Sequence, residues 1–223
     1  MDTVKLAAMI DHTVLKPDAR AEEVERFCQE ARTHGFRSVC VNGTHAAAVA
    51  AALAGSDVRV CVVVGFPLGA MTAAAKAAET EDAVRNGAAE IDMVLNIGAL
   101  KDGDLDRVRA DIAAVRAACS GRVLKVIIET CLLDDEQKRA ACRISAEEGA
   151  DFVKTSTGFS TSGATVEDVA LMREVVGPDL GVKASGGVRT RDAALRMIAA
   201  GANRIGTSSG IAIVSGGEAT GAY

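Results

Sequence analysis

Short runs of mostly apolar residues recur along the chain, each followed by a longer Ala-rich segment with a helical spacing of apolar positions. The short runs predict strands at 9–13, 38–42, 58–65, 90–96, 123–130, 152–157, 181–185 and 204–207. The longer segments predict helices around 20–34, 44–54, 71–86, 103–119, 134–148, 165–176 and 190–200. Apolar strands alternating with helices imply parallel strands joined by crossovers. Eight such units is the count that closes a (β/α)8 barrel, the TIM barrel of the α/β class. An open doubly wound sheet is the alternative, but no G-x-G-x-x-G follows the first strand. No Pro- or Ser-rich linker interrupts the pattern, so 1–223 reads as one domain with short loops. Its end, SGGEATGAY at about 215–223, reads as a short flexible tail.

Charged residues within the strands alter this picture. Strand side chains alternate between faces, so parity assigns Lys154 to one face with Phe152 and Ser156, and Lys183 to one with Gly181 and Ser185. Asp92 falls with Val94 and Asn96, and Lys125 with Ile127 and Glu129. The intervening Ile91, Met93, Leu124, Val126, Val153 and Val182 form the apolar set that packs on the helices, so the charges point into the barrel. Burying a lysine favours its neutral form, and a neutral amine is what attack on a carbonyl requires. Ion pairs that merely satisfy one another inside the barrel are the competing reading. Lys125 with Glu129 reads equally well as a support network below the site or as part of it.

Glycines mark a second feature. Gly186 and Gly187 follow the seventh strand, and Gly206-Thr207-Ser208-Ser209-Gly210 ends the eighth before the short apolar run IAIV. Glycine lets backbone approach an anion, and this corner of such barrels often takes phosphate. Thr155, Ser156, Thr157 and Gly158, after the sixth strand, would add hydroxyl donors nearby. An ordinary tight turn uses the same residues.

Composition narrows the partners. The net charge of -5 and the lack of a basic run argue against nucleic acid and anionic membranes. The first apolar stretch, 6–10, is too short for a signal-peptide core, and no run approaches the roughly 20 residues of a membrane span. The default location is the cytoplasm. Six cysteines without C-x-x-C read as reduced thiols, and three histidines without ligand spacing weaken a metal-dependent reading.

The strings IDHTVLK (10–16), VGFPLG (64–69), EIDMVLNIGAL (90–100), LKVIIET (124–130), FVKTSTGF (152–159), GVKASGGVR (181–189) and RIGTSSG (204–210) closely resemble the deoxyribose-phosphate aldolase family, in its order and over essentially the whole chain. The resemblance implies a class I lyase that cleaves 2-deoxy-D-ribose 5-phosphate reversibly to acetaldehyde and D-glyceraldehyde 3-phosphate, with neither metal nor organic cofactor. It implies Lys154 as the Schiff-base lysine, Lys183 as the neighbouring proton-handling lysine and Asp92 as the acid/base partner. Thr157, Gly158, Gly186, Gly187, Ser208 and Ser209 would form the phosphate end, with Asp11, Thr13, Cys40 and Lys125 as the remaining polar lining. The partner is then a small phosphorylated sugar or aldehyde, and a homo-oligomer, dimer or tetramer, stays open. Some family members carry Lys after TSTG, where this chain has Phe159, which removes one cation near the phosphate. The family often ends in a tyrosine able to reach the site, and the chain ends in Tyr223. Two rivals remain: another Schiff-base aldolase or transaldolase with a different donor, and a non-catalytic sugar-phosphate-binding barrel.

Overall fold

Eight parallel strands close on themselves in chain order: β1 (Ile10–Val14), β2 (Ser38–Val41), β3 (Arg59–Val64), β4 (Glu90–Val94), β5 (Val123–Ile127), β6 (Phe152–Lys154), β7 (Gly181–Ser185) and β8 (Arg204–Thr207). The computed structural model of the protein describes residues 1–217. Closure comes from β8 pairing with β1, through Ile10↔Ile205, Asp11↔Gly206 and His12↔Thr207. The (β/α)8 barrel expected from the alternating pattern is therefore the architecture observed.

Around the barrel run α1 (Thr3–Ala7), α2 (Ala21–His34), α3 (Ala46–Ala52), α4 (Ala73–Arg85), α5 (Ile97–Lys101), α6 (Leu105–Ala118), α7 (Asp135–Glu147), α8 (Val166–Val176), α9 (Arg191–Ala199) and α10 (Gly210–Ser215). Several start on side-chain caps: Thr72, Asp104, Thr165 and Thr190 accept from the backbone three residues on, and Asp134 with Gln137 forms a full capping box. The outward strand residues Ile91, Met93, Leu124, Val126, Val153 and Val182 are fully buried against these helices, as parity required. Each such burial contributes about 1.5–3 kcal/mol. A smaller apolar cluster of Leu15, Cys40, Cys61 and Val63, with Phe66 packed on it, lies apart from this layer.

Strand ends differ from expectation where the chain turns into the site. The run 152–157 leaves its strand after Lys154, the run 123–130 after Ile127 and the run 90–96 after Val94. Parity cannot be carried beyond those points. Asn96, placed by parity beside Asp92, instead caps α5 by accepting from the Ala99 amide. Glu129 has φ 54, a left-handed conformation that a strand cannot contain. Helices α1 and α5, five residues each, were too short to show a helical period. Ser215 ends α10 and Gly216 caps it, so the expected tail starts inside a helix. Residues 218–223, Tyr223 among them, lie outside the described residues.

One charge was not anticipated outside the barrel. Lys76 on α4 is fully buried, donating to Asp111 Oδ2 of α6 at 2.6 Å and to the Val94 carbonyl at 2.8 Å. It ties two helices to the end of β4.

Candidate active site

Asp92 on β4 is the hub of the barrel interior. Its Oδ2 accepts from Lys154 Nζ at 2.8 Å and from Lys183 Nζ at 2.7 Å. Its Oδ1 accepts from Lys125 Nζ at 2.8 Å and from the Cys61 thiol at 3.2 Å. Strand register makes this inevitable: Asp92 pairs with Lys125, Lys125 with Phe152, and Lys154 with Lys183, so same-parity residues meet inside. All four charged groups are at most 2% exposed.

A second tier lies beneath. Lys183 donates to Asp11 Oδ2 at 2.5 Å, and Arg204 bridges Asp11 Oδ1 and Glu90 Oε2, both at 2.8 Å. Lys125 reaches Glu90 Oε2 at 2.6 Å. The Arg204 guanidinium lies 4.9 Å from the centre of the Phe152 ring. Glu90 and Arg204 were missed in the sequence, although both stand at inward positions of strands already assigned. Three carboxylates thus face four cationic side chains, and the interior is neutral when one lysine carries no charge. Lys125 and Lys183 each contact two carboxylates within hydrogen-bond distance, whereas Lys154 contacts one carboxylate oxygen that it shares. Lys154 is therefore the amine least committed to an ion pair.

Burial pushes Asp92 upward, but the ammonium groups of Lys125, Lys154 and Lys183 outweigh it and hold the carboxyl well below the usual range. Burial pulls Lys183 downward, and Asp11 and Asp92 more than reverse this, so it is held as an ammonium. Lys125 is raised in the same way, chiefly by Asp92 against its burial. A base and an acid thus stand 2.7 Å apart next to Lys154.

Other expected residues divide between lining and foundation. Lys125 is fully buried among Asp92, Glu90 and Cys61, and so acts as foundation. Its expected pairing with Glu129 does not occur. Because β5 ends at Ile127, Glu129 turns toward the next strand, where it accepts from Thr157 Oγ1 at 2.5 Å and Thr157 N at 3.1 Å. Asp11 is likewise enclosed, accepting from Ser38, Lys183 and Arg204. Thr13 spends its hydroxyl on the Asp11 carbonyl, and Cys40 is fully buried beside Cys61. Cys40, Cys61 and Asp92 bring possible metal-ligand atoms within 4.8 Å of one another, as do Asp11, Cys61 and Glu90. Lysine and arginine donors already occupy oxygens of all three carboxylates, so the donor set fits ammonium and guanidinium groups better than a metal ion.

The glycine corner forms a small cavity lined by Gly186, Gly187, Val188, Arg189, Gly206, Thr207 and Ser208. Gly186 has φ 80, and a Cβ there would sit 2.9 Å from Gly163 Cα. The same close packing sets Gly158 against it. A Cβ on Gly206 would lie 2.9 Å from Lys183 Cε, so this glycine makes room for the lysine. Ser209 donates its amide to Thr207 Oγ1 at the start of α10. Arg189 was missed in the sequence, although it is the first cation after the glycine pair. Phe159 meets Phe66 edge-on, ring centres 5.3 Å apart.

Residues 5–216 match the DeoC/LacD family of aldolases. The chain is 64% identical over 212 residues to the deoxyribose-phosphate aldolase of Brevibacillus brevis, covering 95% of this chain and 96% of the relative. It is 60% identical over 220 residues to that of Streptococcus gordonii, covering 99% and 100%. Among solved structures, the tetrameric deoxyribose phosphate aldolase of Aeropyrum pernix superposes with a TM-score of 0.90 at 34% identity, covering 96% of this chain and 91% of that one. Among the described residues no helix is long and apolar enough to cross a membrane.

Proposed function

The chain belongs to the DeoC/LacD aldolase family, and from that membership we propose how its interior performs the reaction. The enzyme is a lyase that cleaves 2-deoxy-D-ribose 5-phosphate reversibly to acetaldehyde and D-glyceraldehyde 3-phosphate. The observation that carries the mechanism is the Lys154–Asp92–Lys183 triplet, in which one carboxylate oxygen serves both amines. Lys154 attacks the aldehyde carbon, and loss of water gives the iminium. The C3 hydroxyl then gives up its proton and becomes the aldehyde of the departing D-glyceraldehyde 3-phosphate, while the C2–C3 bond breaks and its electron pair passes toward the iminium nitrogen to leave an enamine. Asp92, a carboxylate, accepts protons in these steps, and Lys183, an ammonium, donates them. Protonation of the enamine and hydrolysis release acetaldehyde and restore Lys154.

Borohydride reduction in the presence of acetaldehyde tests this assignment. The reduced adduct should map to Lys154; an adduct on Lys183 or Lys125 would overturn the mechanism. Dihydroxyacetone offered as donor should give no product, which separates this reading from a transaldolase.

The substrate phosphate is assigned to the glycine corner, where the Gly186–Gly187 backbone, Ser208 and Arg189 converge. Arg189 supplies a cation that Phe159 does not. Ser209→Asp places an anion beside that corner and should raise KM for the phosphorylated substrate by about 10–100-fold, the scale of one or two charge-assisted contacts. KM for unphosphorylated deoxyribose should hardly change. Equal losses for both substrates would place the phosphate elsewhere. The tetrameric relative from Aeropyrum pernix supports a homo-oligomer for this chain too.

A further inference from the structure

Two thiols meet inside the barrel beside the catalytic cluster, and the aldol reaction uses neither as a nucleophile. Cys40 on β2 pairs in register with Cys61 on β3, and both side chains point inward. Their sulfurs lie within 4.8 Å of each other, and both residues are fully buried. Cys61 donates to Asp92 Oδ1 at 3.2 Å and accepts from Lys125 at 3.3 Å. The buried Cys28, Cys119 and Cys142 belong instead to the outer apolar layer, and Cys131 is half-buried against Ser160.

We propose that Cys40 and Cys61 are a redox-sensitive pair that peroxide converts to a disulfide, switching the aldolase off reversibly. Paired strands place in-register Cα atoms about 4.8 Å apart, inside the roughly 4.4–6.8 Å that disulfides span. A link between adjacent strands constrains both side chains, and constrained disulfides are the easily reduced, regulatory kind. The surroundings favour the first step. The Cys61 thiol beside it lowers the Cys40 thiol most, and Lys183 and Lys154 lower it further against its burial. Burial, Cys40 and Asp92 raise Cys61, so it remains the protonated partner.

The chemistry balances with hydrogen peroxide as oxidant. The Cys40 thiolate attacks one peroxide oxygen, the O–O bond breaks, and the departing hydroxide takes up a proton to become water. The Cys61 sulfur then attacks the resulting sulfenic acid, the S–O bond breaks, and the Cys61 proton leaves with that oxygen as a second water. The two thiols supply two electrons, and one peroxide is reduced. The new bond removes the Cys61 donor from Asp92 Oδ1 and draws the Cys40 sulfur toward β3. Displacing the hub carboxylate by ~1 Å costs about 100-fold in rate.

The test treats the Cys131→Ser protein with peroxide, so that the half-buried thiol does not contribute. The expected result is an activity loss of about 100-fold, a mass lower by two hydrogens, a non-reduced peptide joining Cys40 to Cys61, and full recovery with dithiothreitol. Adding Cys61→Ser should abolish both the mass loss and the recovery, each preparation being compared with itself before treatment. Inactivation without the Cys40–Cys61 peptide, or a linked peptide without inactivation, would overturn the proposal.

Discussion

Lys154→Arg abolishes both cleavage and borohydride trapping while the barrel stays folded. Arginine has similar reach and can keep the hydrogen bond to Asp92 Oδ2 that Lys154 makes at 2.8 Å. A guanidinium does not lose its proton in proteins, so it cannot add to an aldehyde. The expected loss in kcat/KM is on the order of 10⁴–10⁶, the scale seen when a covalent nucleophile is removed. A folded circular-dichroism spectrum with no tritium incorporation from labelled borohydride is the expected readout. Trapping that persists and maps to Lys183 would identify that lysine as the nucleophile. Geometry argues against this, because Lys183 is fully buried and held by both Asp11 and Asp92.

Much of the site was legible because strand parity is a strict rule wherever the strand lasts. Asp92, Lys125, Lys154 and Lys183 stand within β4, β5, β6 and β7, and period two put all four inside. The rule fails one or two residues after a strand ends, which is where active-site loops begin. Glu129 illustrates this: its left-handed backbone turns the side chain from Lys125 to Thr157. Nothing in the string LKVIIET marks that change of conformation. Parity alone does not say which of the inward cations reaches the hub. Lys125 donates to Asp92 as directly as Lys154 does, and only pairing register, which needs all eight strands aligned, reveals it. Arg204 and Glu90 escaped notice at strand starts, yet they carry the lower tier. The Cys40–Cys61 contact is likewise a register fact, invisible to sequence spacing because the two lie on separate strands.

Asp92→Asn should unsettle the fold as well as the reaction. Every orientation of the asparagine amide turns its N–H donors toward ammonium groups, since Oδ1 faces Lys125 and Oδ2 faces Lys154 and Lys183. Two carboxylates would then stand against the same four cationic side chains. Removing one partner from a buried ionic cluster costs about 3–5 kcal/mol, and kcat should fall by at least ~10³-fold with the loss of the proton acceptor. The pH dependence separates electrostatics from packing. Asp92 is held below its unfolded value, so its stabilising contribution is complete above ~3.9 and is lost only as pH falls through the folded value. Lys183 is held above its unfolded value, so its contribution is complete below ~10.4 and is lost as pH rises through the folded value. Between about pH 5 and 9 neither group changes charge in the wild type, so their contribution to wild-type stability should be flat there. Adding Lys183→Met removes one uncompensated ammonium, while Asp11 keeps Arg204 as its partner. Urea unfolding of the double variant should recover a substantial part of the lost stability and none of the activity. Simple additivity of the two destabilisations, with no recovery, would mean that packing rather than charge balance governs the barrel interior.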